Sequence, residues 1–307
     1  MKNLNDIQQI QQFKNLEFVA KQVVEGFITG LHRSPFHGFS VEFAEHRIYN
    51  SGESTKHIDW KLYARTEKLF TKRFEEETNL RSYLVIDRSS SMLFPYNEKS
   101  VFNKLFFSVY CAASMIYLLR KQRDAVGLSI FSDKIDLYTR SRLSNVHAQI
   151  LFTELEKLLN PTAEDLNRQT SAAEALHEIA EKTHKRSLIV VFSDMFDGGD
   201  KENLYSALQH LRYKKHEVIL FHVTDHKLEE NFEYHHRPYK FIDLESGKEL
   251  KLNPNEIKEK FRETYSKYKS EIKLKCAQYA IDLVEADINK DFSEVLMAYM
   301  IKRASLY

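Results

Sequence analysis

Residues 82–92 read SYLVIDRSSSM, and residues 187–194 read SLIVVFSD. In each, a short continuous apolar run gives way at once to Asp and Ser. A run of that kind is the mark of a strand buried on both faces, as in a parallel sheet. Working outward, residues 125–131 form another apolar run, and residues 134–139 alternate as a partner strand. Residues 217–223 and 281–285 supply two further strands. Helical periodicity fills the intervals, at about 99–121, 144–159, 171–183, 200–213, 254–278 and 290–304. This alternation predicts an α/β fold: a doubly wound, mostly parallel sheet with helices on both faces. The stretch at about 224–255 breaks the rhythm and reads as an insertion, with a hairpin-like segment at 241–248.

Upstream the pattern differs. Ile7, Ile10, Phe13, Leu16, Val19, Val23 and Phe27 follow helical spacing and predict an amphipathic helix over 5–30. Its polar face mixes Asn, Gln and acids with Lys14 and Lys21, unlike the basic face of a membrane-surface helix. The apolar stripe is therefore expected to pack on the protein's own body. Residues 31–80 are polar and studded with aromatics, with strand-like stretches at 41–43 and 68–74. The expected organisation is an N-terminal segment at 1–80 and a sheet domain at 81–307.

Across 307 residues, 45 Lys and Arg balance 44 Asp and Glu, a net charge of +1. No global field draws such a chain to nucleic acid or anionic lipid. With no run of about 18 apolar residues, direct membrane insertion is not expected. No apolar signal-peptide core is present near Met1, so the expected compartment is the cytoplasm. Cys111 and Cys276 have no close partner in sequence and read as reduced core thiols. Trp60, the single Trp, is expected to pack the N-terminal segment.

Ligands of an open parallel sheet bind beyond the carboxyl ends of its strands. There the two quoted runs deliver Asp87, Ser89, Ser91 and Asp194, and Thr170 stands just before a predicted helix. Carboxylates and hydroxyls are hard oxygen donors, suited to Mg²⁺ or another divalent cation. Two carboxylates leave positive charge on such an ion for an incoming anion. The plain alternative is turn chemistry, with Asp and Ser capping the next helix. Arg88 places a bulky cation inside the loop.

The pattern Asp87-x-Ser89-x-Ser91-Met92 resembles the metal-ion-dependent adhesion site of von Willebrand factor A domains. Thr170 and Asp194 stand where that family's remaining metal-facing residues stand. Residues 32–77 resemble the signature of a bacterial family, domain of unknown function 58. The matching residues are Gly38, Ser40, Glu42-Phe43, Arg47, Tyr49, Gly52-Glu53, Ile58-Asp59-Trp60 and Ala64-Arg65. The resemblance implies an adaptor or co-chaperone beside a MoxR-type AAA+ ATPase, binding a partner carboxylate through a Mg²⁺ ion. On it the ion is held by Ser89, Ser91 and Thr170, with Asp87 and Asp194 orienting its waters. The expected protein is no enzyme, since no phosphate-binding Gly loop or nucleophile elbow is present. The competing expectation is a Mg²⁺-dependent, phosphatase-like hydrolase using the same cluster.

Overall fold

The computed structural model describes residues 15–31, 46–49, 60–72, 80–96, 102–160, 171–196, 201–245 and 247–304. The chain divides into two compact units, one comprising Met1–Ile28 with Leu80–Tyr307 and the other Thr29–Asn79. The first helix, grouped by sequence with the N-terminal segment, thus belongs to the sheet unit.

The smaller unit holds β1 (His46–Ile48), α2 (Trp60–Thr66) and β2 (Phe70–Lys72), with β1 and β2 antiparallel. Trp60 is 61% exposed and meets Tyr63 edge-on within its own helix. The strand expected at 41–43 lies outside the described residues.

In the larger unit, α1 (Leu16–Leu31) precedes the sheet. There follow β3 (Arg81–Asp87), α3 (Lys104–Lys121), β4 (Ala125–Phe131), β5 (Ile135–Tyr138), α4 (Asn145–Leu158), α5 (Ala172–Lys182) and β6 (Leu188–Ser193). The chain continues through α6 (Lys201–Tyr213), β7 (Glu217–Thr224), β8 (Tyr239–Ile242), β9 (Glu249–Leu252), α7 (Pro254–Gln278), β10 (Asp282–Asp287) and α8 (Ser293–Ala304). The six-stranded sheet runs β10-β7-β6-β3-β4-β5, parallel except for the edge strand β5. The insertion is the antiparallel hairpin β8–β9.

Alternate residues of the central strands enter opposite cores, as a pleated strand requires. Leu84, Ile86, Val190 and Phe192 join the core under α1, α3, α4 and α8. Val85, Ile189 and Val191 join the core under α5, α6 and α7. The fold is therefore doubly wound. Fifteen of the eighteen residues of α3 are buried, which makes it an interior helix rather than a surface one. Gly127 of β4 admits close backbone approach: an added Cβ would sit 2.8 Å from the Thr139 carbonyl oxygen.

The apolar stripe of α1 packs on the protein's own body. Leu16, Val19, Ala20, Val23 and Val24 are buried, and the Leu16 amide donates to Glu156 of α4 at 3.0 Å. Glu17 pairs with Arg120 of α3.

From β3 the chain builds outward to β4 and β5 on one side, and from β6 to β7 and β10 on the other. The carboxyl ends of β3 and β6 therefore flank the point where the winding reverses. That is where an open α/β sheet leaves a crevice for ligands.

Candidate functional site

Asp87 is the last residue of β3 and is completely buried. Its Oδ1 accepts from the Ser89 amide at 2.9 Å, and its Oδ2 accepts from the Ser193 hydroxyl at 2.6 Å. One carboxylate thus ties the loop after β3 to the end of β6. Burial, with the nearby charge of Asp194, raises its pKa to about 7, against the pull of the Ser193 and Ser89 hydrogen bonds.

The loop then turns into a 3-10 segment, Ser90–Leu93. This places the hydroxyls of Ser89 and Ser91 3.0 Å apart. Asp194 Oδ1 accepts from the Phe196 amide at 3.1 Å. The Asp194 carbonyl accepts from His222 Nε2 at 3.1 Å. That bond fixes a proton on Nε2, and burial lowers the His222 pKa to about 4, so the ring is a neutral prop.

The residue that sequence reasoning missed is Lys104. Asn103 caps α3 by accepting from the Phe106 amide, and Lys104 follows as the first helical residue. It is 1% exposed. Its ammonium donates to Asp194 Oδ2 at 2.8 Å and to Glu229 at 2.6 Å. A cation at a helix N-terminus opposes the helix dipole, so these carboxylates must hold it there. Burial works against its charge, yet Asp194 and Glu229 outweigh that and keep Lys104 above its usual pKa. Burial likewise works to raise Asp194, but the Lys104 ammonium holds it below the usual carboxylate range. Glu229 lies in a π-helical turn, His226–Glu230, and burial raises its pKa despite Lys104. Lys104 is therefore a fixed charge and no proton acceptor.

Of the five residues expected from sequence, Asp87, Ser89, Ser91 and Asp194 meet at one edge; Thr170 lies outside the described residues. Its neighbour Ser171 donates its amide to Ser132, in the loop after β4. Arg88 pairs with Asp136 of β5 at 3.9 Å. His147, His216 and His222 are buried, while His235 and His236 are exposed. Cys111 and Cys276 are buried and unbridged.

The donors fit a hard cation. Two oxygens 3.0 Å apart match the edge of an octahedron whose bonds are about 2.1 Å. Among the described residues no group of three His, Cys, Asp or Glu is placed to hold a metal. The fit here depends on hydroxyls, with only two carboxylates beside them.

The family model described as "Protein of unknown function DUF58" matches residues 45–273. Uncharacterized protein Rv1480 of Mycobacterium tuberculosis is 22% identical over 223 residues, 73% of this chain and 67% of its own length. Uncharacterized protein Mb1516 of Mycobacterium bovis gives the same figures. Among solved structures, the conserved hypothetical protein BatB from Bacteroides thetaiotaomicron has a TM-score of 0.46 at 12% identity. It covers 74% of this chain and 100% of its own. The SpRpn10 VWA domain has a TM-score of 0.36 at 11% identity, covering 71% and 94%.

Proposed function

The chain belongs to the DUF58 family, and from that premise we propose that it is a non-enzymatic protein-interaction module whose contact is completed by a divalent cation. Its fold, an α/β sheet of von Willebrand factor A type, suits an interaction module. The ion proposed is Mg²⁺, held by the hydroxyls of Ser89 and Ser91 together with Thr170. The observation that carries the reading is the pair of hydroxyls 3.0 Å apart, flanked by Asp87 and Asp194, at the reversal point of the sheet. When bound there, a divalent ion offers an open position to a partner's carboxylate. Asp87 braces the loop that presents the hydroxyls, and His222 braces the backbone of Asp194.

The partner proposed is a MoxR-type AAA+ ATPase or its client, on the resemblance of the signature segment. The compartment proposed is the cytoplasm, in keeping with two buried unbridged cysteines. Among the described residues no helix is long and apolar enough to cross a membrane. The hydrolase alternative gains nothing here: Asp87 is fully buried, with both oxygens engaged.

Calorimetric titration with MgCl₂ tests the site. Wild-type protein is expected to bind, and Ser89→Ala with Ser91→Ala to abolish binding while the melting curve stays put. Unchanged affinity in the double variant overturns the assignment. Affinity capture with a purified MoxR-type ATPase tests the partner: retention in Mg²⁺ and release in EDTA is expected, and equal retention in both refutes the ion's role.

A further inference from the structure

The net charge of +1 conceals an uneven distribution. At the carboxyl end of the sheet, Asp87 closes β3, Asp194 follows β6, Asp225 follows β7 and Asp287 closes β10. At the amino end the signs reverse. Arg81 opens β3, while Arg123, Arg186 and Lys215 stand two residues before β4, β6 and β7. The antiparallel β5 returns to that end with Arg140 and Arg142, the latter bridged to Val126 near the start of β4. Strands about 4.8 Å apart set these cations in a row about 19 Å long, from β7 to β5. All are exposed, and among the described residues none of them forms a salt bridge. Nearby carboxylates are already taken: Glu181 by Lys214, Glu217 by Arg212 and Lys302, Asp282 by Lys302. Arg123, Arg186 and Lys215 hold φ of 60°, 60° and 64°, where Gly or Asn is the usual residue. A cation just past a helix complements its dipole, which suits those three. Arg140 and Arg142 follow a strand and have no such reason to be there. Apolar side chains stand beside the row. Tyr213 directly precedes Lys214 and is 81% exposed; Leu143 and Val146 follow Arg142, with Val146 67% exposed. His147 holds this first turn of α4 against β4, its Nε2 lying 3.0 Å from the Val126 carbonyl oxygen.

We propose that the amino end of the sheet docks on an anionic phospholipid surface, its cations against the headgroups and Tyr213, Leu143 and Val146 reaching the interface. The polarity of the sheet then turns the edge with Ser89 and Ser91 away from the membrane. The occupant follows from charge and from the apolar side chains together. Headgroup phosphates attract Lys and Arg, and aromatic and aliphatic side chains gain by leaving water at the headgroup level. A nucleic acid satisfies the cations but leaves Leu143 and Val146 in water. A second copy of the chain offers Asp87, Asp194, Asp225 and Asp287, which are buried and cannot reach the row.

The test uses the full chain in EDTA, so that it is independent of any ion at Ser89 and Ser91. Vesicles of phosphatidylcholine, alone or with about 30% phosphatidylserine, are sedimented with the protein. Binding is expected to the mixed vesicles only, and to be lost in high salt. Arg186→Asn with Lys215→Asn removes two charges while keeping residues at home in the left-handed region, so the fold is spared. Affinity for the mixed vesicles is expected to fall about 25-fold, roughly fivefold per cation. Lys251→Gln with Lys260→Gln, an equal change of charge in β9 and α7, is expected to stay within about twofold. Val146→Ser is expected to weaken vesicle binding about threefold, through lost apolar burial alone. No sedimentation with the mixed vesicles overturns the proposal, as do equal losses in the two double variants. Tighter binding to a short DNA duplex than to the vesicles overturns it too and assigns the row to nucleic acid. Self-association abolished by the Arg186 and Lys215 changes, without vesicle binding, assigns the row to a second copy and overturns it likewise.

Discussion

At pH 3 Asp87 is protonated whether the chain is folded or not, because its usual pKa is 3.8 and its folded value is about 7. Between those values the folded protein holds a proton that the unfolded chain has released. The stability this group contributes is therefore complete below about 3.8 and is lost as pH rises through about 7, by roughly 4 kcal/mol at most. In EDTA, Asp87→Asn is expected to be more stable than wild type at pH 8, by a margin that shrinks by more than half at pH 5 and vanishes only below about pH 3.8. Urea denaturation at the two pH values reads it directly; a variant less stable at both would make Asp87 a purely structural brace. Lys104 behaves in the opposite sense. Lys104→Met leaves Asp194 and Glu229 without their ammonium, and a loss of about 3–5 kcal/mol is expected by urea denaturation. Adding Asp194→Asn should restore part of it, and strictly additive losses would show that the two do not interact. Asp87 and Asp194 were legible in the sequence because each directly ends a buried strand. Lys104 was not, because a single Lys beside Leu105 and Phe106 reads as a break in an apolar run. Its partners lie 90 and 125 residues away along the chain, a distance no local pattern spans.

Among the elements, the six strands of the main sheet were legible to within a residue or two, since continuous apolar runs admit one reading once helices separate them. The helix α7 was legible for another reason: Asn253 accepts from the Asn255 amide and Pro254 occupies the first turn, a start signal visible in sequence. The attachment of α7 was not visible. Its long polar surface hides two buried anchors, Ile272 and Cys276, that enter the core beneath β6 and β7. Ile272→Ala is expected to cost about 2–5 kcal/mol by chemical denaturation. Leu274, two residues on and 58% exposed, is the internal control; Leu274→Ala should stay within about 0.5 kcal/mol. Equal effects would mean that α7 is seated on a different face. The π-helical turn that carries Glu229 left no mark in the sequence, because it has the composition of any polar loop.

Over the whole molecule, the two cores on opposite faces of the sheet were foreseeable from strand–helix alternation, and the membership of α1 was not. Its stripe announces burial without naming a partner; its place in the core beneath the sheet, with the Glu156 and Arg120 contacts, assigns it to the sheet unit. Val24 of α1 is wholly buried. Val24→Asp is expected to lower stability by about 3 kcal/mol or more, since the charge finds no counter-ion there. A melting temperature within a degree of wild type would mean that α1 detaches at little cost. The tethered ammonium of Lys104 has a consequence for time rather than for strength. Any second cation near Asp194 must share that carboxylate with a positive charge that cannot diffuse away, and like charges at such range repel appreciably. Its residence is shortened accordingly, and so is any contact completed through it. On the proposed reading, a contact completed by an ion at this edge would suit repeated capture and release, at a pace set by ion exchange instead of by the unbinding of a large surface.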